Sequence, residues 1–392
     1  DAPPDEFIYL APPYSNQGGY SDFNRNTPQQ FRSGDHLRLA ALCREFGICR
    51  ETGYKWLRRS QEVESLAELE EQSRRPHRSP NQTPEWIEER VEALRHEHGW
   101  GGRKLAELLS EEGIFLARST VDRILKRRGL VDSGQRHRPA VRRFERSRPM
   151  ELVQMDFKGP YRLPSGRICY PLSVLDDHSR YALRLDALPS QYGHEVQSRL
   201  VACFEEHGVP QAMLMDHGNP WWATTNGHGL TRLSVFLIRQ GIYLIYGGIG
   251  NPQTQGKVER FHRTLGESIG RLELPQSLEG FQAAFDVFRR VYNHVRPHEA
   301  LRDRPPAQRY HPSRKSYRPE PPEWEYPAGS EVYILRHNGC LRLEGRYYFV
   351  CHPLAGERVR LERFDRKILV TYRHMQVREI DLETGRTTAV VR

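Results

Sequence analysis

Between Gln255 and Leu272, the apolar residues Val258, Phe261, Leu265, Ile269 and Leu272 recur at three- and four-residue spacing. That is the period of an α-helix that turns one stripe to a core. Glu259 stands about 100° round this helix from Val258, at the edge of the stripe, and Arg263 follows one turn later on the same flank. Asn251-Pro252 breaks the chain just before it and fixes where the helix begins. Upstream, two apolar runs have strand character: LVQMDFKG, which carries Asp156, and AMLMDHGNP, which ends in Asp216 and a Gly turn. The pattern over 150–312 predicts strands at 151–158, 168–176, 180–187, 211–216 and 241–246. Helices are predicted at 191–207, about 230–240, 255–272 and 278–293. Three antiparallel strands followed by β/α units give a mixed α/β sheet with helices on both faces. Asp176 and Asp177 fall in the hairpin turn DDHSR, where turn chemistry accounts for them.

The flanking segments follow other periods. Residues 1–33 have none and are expected to be a disordered tail. Over 34–72, LRLAALCREF, Gly47-Ile48 and CRETGYKWLRR predict two helices around a turn, with Leu39, Leu42 and Phe46 facing Ile48, Trp56 and Leu57. Such a pair resembles a helix-turn-helix whose second helix would offer Arg50, Thr52, Lys55 and Arg58 to DNA. A Pro-rich linker at 73–83 leads to a second all-α helix-turn-helix unit at 84–131. Thr83 is its expected N-cap, Trp86, Ile87, Val91 and Leu94 its apolar face, and Ser119 the expected cap of its last helix. That last helix is basic, and Arg118, Arg123, Lys126, Arg127 and Arg128 are expected near phosphates. A basic linker at 132–149, with Arg142 and Arg143, would cross the DNA backbone. After a Pro-rich linker at 313–326, residues 327–392 alternate in EVYILR, CLRLEGRYYFV, RVRLERF and KILVTY, which predicts a small all-β, barrel-like module. It would either touch DNA or serve structure and multimerisation.

A chain of 392 residues and 45.8 kDa has room for two to four such domains. It contains no apolar run of eighteen residues, so an intracellular protein without a membrane span is expected. The six cysteines are scattered without metal-ligand spacing, which points to reduced thiols and away from structural zinc. The net charge of +9 is concentrated: residues 118–150 hold eleven Lys or Arg against three acids, a net of +8, whereas residues 1–117 hold fifteen against twenty, a net of −5. A basic stripe of that kind points to a polyanion, and inside a cell to nucleic acid.

Asp156 and Asp216 each stand at the end of a hydrophobic strand, where an ionised carboxylate is expensive unless a cation compensates it. Together with Glu259 they suggest one shared cation site. The order Asp, Asp-x-Gly, Asn-Pro…Lys-x-Glu-Arg-Phe-His resembles the DDE transposase and retroviral-integrase superfamily, and YNHVRPHEAL at 292–301 resembles the C-terminal signature of bacterial insertion-sequence transposases. Asp216 and Glu259 are separated by 42 residues, and WWATTNGHGL at 221–230 reads as an inserted loop within that gap. The resemblance covers about 150–312 and implies a ribonuclease H-like catalytic core.

It further implies that Asp156, Asp216 and Glu259 are catalytic and bind two Mg²⁺ ions, for which Mn²⁺ can substitute. Asp156 would bridge the two ions. Water would cut the DNA to expose a 3′-OH, which would then attack target DNA. Lys257, Arg260, His262 and Arg263 would lie near phosphates. The implied partners are double-stranded DNA, as terminal repeats and target, and further copies of the chain in a dimer or larger assembly on the bacterial nucleoid. Two other readings stay open: a catalytically silent, sequence-specific DNA-binding regulator, and a ribonuclease H-like nuclease without strand transfer.

Overall fold

The computed structural model describes residues 33–62, 82–131, 145–224, 229–247 and 256–391. The break at Asn251-Pro252, the basic pair Arg142 and Arg143, and most of the expected linkers lie outside these residues. The chain divides into two units, Asp1–Gln82 and Thr83–Arg392.

In the first unit, α1 (Ser33–Glu45) and α2 (Arg50–Glu62) form the expected pair. Gly47 takes a left-handed φ of 64° between them. A Cβ at Gly53 would stand 2.5 Å from the Cys43 Sγ, so the helices approach closely at a residue without a side chain.

The second unit opens with α3 (Glu85–His98), α4 (Gly102–Glu111) and α5 (Arg118–Arg127), which share a core of Val91, Leu94, Leu105, Leu109, Val121 and Ile124. Pro84, extended at φ −53° and ψ 144°, is the N-cap of α3, and α5 begins after Ala117, so neither Thr83 nor Ser119 caps a helix. Trp86 is exposed, and Glu88 takes an inward position instead. Arg127 and Arg128 of α5 neutralise that buried carboxylate.

The central sheet follows from strands too apolar to face water on either side. Its members are β1 (Val153–Phe157), β2 (Tyr161–Arg162), β3 (Ile168–Asp176), β4 (Ala182–Leu188), β5 (Ala212–Met215) and, after the short β6 (Trp222–Ala223) and β7 (Gly229–Leu230), β8 (Tyr243–Tyr246). The order is β2-β3-β1-β5-β8 with β4 also on β3. The β1, β3 and β4 ladders are antiparallel, and β5 and β8 continue parallel to β1. This is the mixed ribonuclease H-like sheet that the strand pattern predicts. Alternation along β3 feeds two cores. Leu172 and Val174 join α6 (Gly193–His207) and α7 (Arg232–Arg239) on one face. Cys169 and Leu175 join α8 (Gly256–Ile269) and α9 (Leu278–His294) on the other.

Residues 327–391 carry β9 (Glu331–Ile334), β10 (Cys340–Leu343), β11 (Arg346–Phe349), β12 (Arg358–Phe364), β13 (Lys367–Tyr372), β14 (Met375–Asp381) and β15 (Thr387–Ala389). The ladders form an antiparallel sheet, β15-β14-β13-β12-β9, beside the hairpin β10-β11. This all-β module shares one apolar cluster with the central α/β domain, running from Val153 and Leu237 to Leu361 and Ile380. The segment 313–326 is strapped to the core by Val209 N–H to the Lys315 carbonyl, at 2.7 Å, and by Gln240 Nε2 to the Arg318 carbonyl, at 2.8 Å.

Candidate active site

The β1/β5 ladder pairs Val153 with Met213 and Gln154 with Leu214. Asp156 and Asp216 each lie three residues beyond the first pair, so the same parallel ladder carried forward brings them level on neighbouring strands. Such strands run about 4.8 Å apart. Asp156 Oδ1 accepts the Phe157 N–H at 2.8 Å. Asp216 Oδ1 accepts the Gly218 N–H at 3.0 Å and the indole N–H of Trp221. Among the described residues its Oδ2 has no hydrogen bond.

Trp221 is 1% exposed and stacks on Phe157, with ring centres 5.5 Å apart. It therefore links the strand ends that carry both aspartates. The loop reading of 221–230 missed this; the available signal was a Trp five residues after an Asp at a strand end.

Glu259 enters from α8. Burial of Val258, Phe261, Leu265 and Ile269 seats this helix against the sheet, each such side chain worth roughly 1.5–3 kcal/mol. Val258 N–H donates to the Gln154 Oε1 at 3.3 Å, and one turn after Glu259 the His262 Nε2 meets the Ser173 Oγ at 2.9 Å. His262 Nδ1 stands 3.8 Å from the Asp156 Oδ2. Burial, with nearby Lys158, drives the His262 imidazole down to about 4, so it borders Asp156 as a neutral ring. Asp156 itself is pushed up to about 7, first by burial, then by the negative charge of Asp216, with Glu259 adding to it. Asp156 therefore senses both other carboxylates. Among the described residues, however, no three His, Cys, Asp or Glu side chains are close enough to hold an ion as they stand.

The rival pair is committed elsewhere. Asp176 accepts from Met150 N–H and from Ser179 N–H and Oγ–H, and Asp177 accepts from Arg146 N–H, Gln154 Nε2 and Lys257 Nζ. Lys257, expected beside DNA, instead reaches buried Asp177 at 2.5 Å. Arg260 and Arg263 are exposed on α8. In the second helical unit Arg127 and Arg128 bind acids of α3, Arg118 pairs with Asp122, and Lys126 is exposed; in the first unit Arg50, Lys55 and Arg58 are exposed on α2 and Thr52 is half-buried.

An integrase core domain matches residues 240–306, and a homeodomain-like domain matches residues 52–125. The insertion element IS407 uncharacterized 31.7 kDa protein of Burkholderia multivorans (strain ATCC 17616 / 249) is 25% identical over 236 residues, 57% of this chain and 79% of its own length. Two solved structures are similar at low identity. The HTLV-2 integrase catalytic core in complex with magnesium is 15% identical over 42% of this chain and 99% of its own, with a TM-score of 0.34. The simian T-cell lymphotropic virus intasome chain is 14% identical over 77% and 96%, with a TM-score of 0.37. Superpositions this loose carry no weight beside the strand order above. Homeodomain-like helices ahead of an integrase core, with a relative from an insertion element, support a transposase of the retroviral-integrase superfamily.

Proposed function

We propose that the chain binds the terminal inverted repeats of its insertion sequence, cleaves DNA there and joins the 3′-OH ends to target DNA through Asp156, Asp216 and Glu259. The observation that carries this reading is the convergence on Asp156. A carboxyl that burial and two neighbouring carboxylates push up to about 7 is one that a divalent cation would hold ionised. All the donors are hard oxygens, which suit Mg²⁺, with Mn²⁺ as a substitute. Asp156 would be shared by two ions, with Asp216 holding one and Glu259 the other. When bound, such ions supply an activated attacking oxygen and stabilise the charge on the leaving one.

The chain's own residues do the positioning. Trp221 and Gly218 fix Asp216 through one oxygen, and His262 lies against Asp156 without adding charge. Arg260 and Arg263 project where a phosphate backbone would pass. Arg50, Thr52, Lys55 and Arg58 on α2, with Arg118, Arg123 and Lys126 on α5, would hold the repeat. Two ends must be joined, so the working form is a homo-oligomer on DNA, at the nucleoid. Incubation with Mg²⁺ and a plasmid carrying the element end distinguishes the readings. Cleaved and joined products are expected; cleavage without joining would leave a nuclease, and tight binding with neither would leave a regulator.

A further inference from the structure

Trp100, in the turn between α3 and α4, is buried against the catalytic core. The guanidinium carbon of Arg296 lies 5.3 Å from its ring centre and the Nζ of Lys104 lies 5.9 Å from it. The junction around it is fastened. Arg103 holds Asp303 at 2.7 Å and Glu299 at 2.9 Å, Arg271 donates to the His98 and Gly99 carbonyls, and Val291 and Val295 pack against the three-helix core. These contacts occupy Glu299 and Asp303. Among the described residues neither Lys104 nor Arg296 makes an ion pair or a side-chain hydrogen bond. Glu267 acts on both from α8, Asp303 acts on Lys104 from its pairing with Arg103, and Arg260 adds a third positive charge. Burial first, then Arg296 and Arg260, bring the Lys104 ammonium down to about 7. Half-buried cations short of counter-charge are costly, and an anion relieves them.

We propose that Lys104, Arg296 and Arg260 form a phosphate site at the junction of the second helical unit and α8, and that one backbone phosphate of DNA fills it. The inference rests on the transposase reading and adds a contact to it. Arg260 adjoins Glu259 in sequence, and its charge acts on both Lys104 and Arg296. The contact is to the backbone and therefore independent of sequence. Because its cations come from both sides of the junction, the phosphate also ties the helical unit to the core.

The test is the salt dependence of binding of the full chain to a short fluorescein-labelled duplex of arbitrary sequence, followed by anisotropy. The slope of log K against log salt should become shallower by about 0.9 in Lys104→Ala and in Arg260→Gln, and return in Lys104→Arg. Arg260 is exposed, so its variant reads the site even if the Lys104 variant folds poorly. Unchanged slopes in both variants would overturn the site, and with it the backbone contact of Arg260, while leaving cleavage and joining by the three carboxylates intact. A wild-type chain that binds no duplex would bring down both. Stabilisation by inorganic phosphate that is lost in Lys104→Ala, with DNA slopes unaltered, would assign the pocket to a small free anion and overturn the DNA contact.

Discussion

Trp221 gives up its indole N–H to a carboxylate that the chemistry needs ionised and correctly aimed. Trp221→Phe keeps the stacking on Phe157 and removes only that donor. Because groups that orient metal ligands typically control 10–100-fold of affinity, Mn²⁺ binding measured by calorimetry should weaken by about tenfold or more, with the fold retained. Unchanged affinity would show that Asp216 needs no such support. The aspartates were readable in sequence because an ionisable group in an apolar strand is conspicuous on energetic grounds. Trp221 was not, because its partner is fixed by how the chain folds back after β5. The partner of Lys257 was hidden for a related reason: its buried counter-ion, Asp177, lies 80 residues away in sequence.

At the scale of elements, the end of α9 and the segment after it serve as a strut. Asn293 bonds both the N–H and the carbonyl of Ala182 in β4, at 2.9 and 3.0 Å, and Tyr292 packs edge-on against His298, with ring centres 4.7 Å apart. Burial, then the cations of Arg296 and Lys104, depress the His298 imidazole to about 3, so it stays neutral in the folded chain over a range where the unfolded chain takes up a proton. Its contribution to stability is complete above the ordinary histidine range near 6.5 and is lost as pH falls toward 3. The unfolding free energy from urea titrations should therefore drop between about pH 7 and about pH 5, by up to about 1.4 kcal/mol per pH unit, and drop less in His298→Gln. An equal drop in both proteins would contradict the assignment. The signature YNHVRPHEAL was visible as a motif, and the helices and strands around it were visible as periods. Its mechanical role was not, because the surfaces it joins, β4 and the second helical unit, are distant in sequence.

At the scale of the molecule, the C-terminal module is built into the central α/β domain. Cys351 Sγ–H points to the Leu230 carbonyl at 3.6 Å, His374 Nε2 donates to the Ile242 carbonyl at 3.0 Å, and Arg239 of α7 pairs with Glu357. Truncation after 312 would expose the shared apolar cluster and should give an aggregating protein in size-exclusion chromatography. A monodisperse, folded fragment would contradict that integration. The period-two alternation announced the strands of this module. It did not announce their packing, since one-sided apolar strands fit a free-standing barrel and a sheet laid on a core equally well.

The central claim is that Asp156, Asp216 and Glu259 form one metal-dependent site that joins DNA ends. Strand transfer of a labelled 3′-OH element end into plasmid DNA with Mg²⁺, comparing wild type with Glu259→Gln, tests it most directly. Wild type should give joined product, and Glu259→Gln should fall by at least about a hundredfold while still binding the end. Equal joining by both proteins would contradict the assignment of Glu259 and the site built on it.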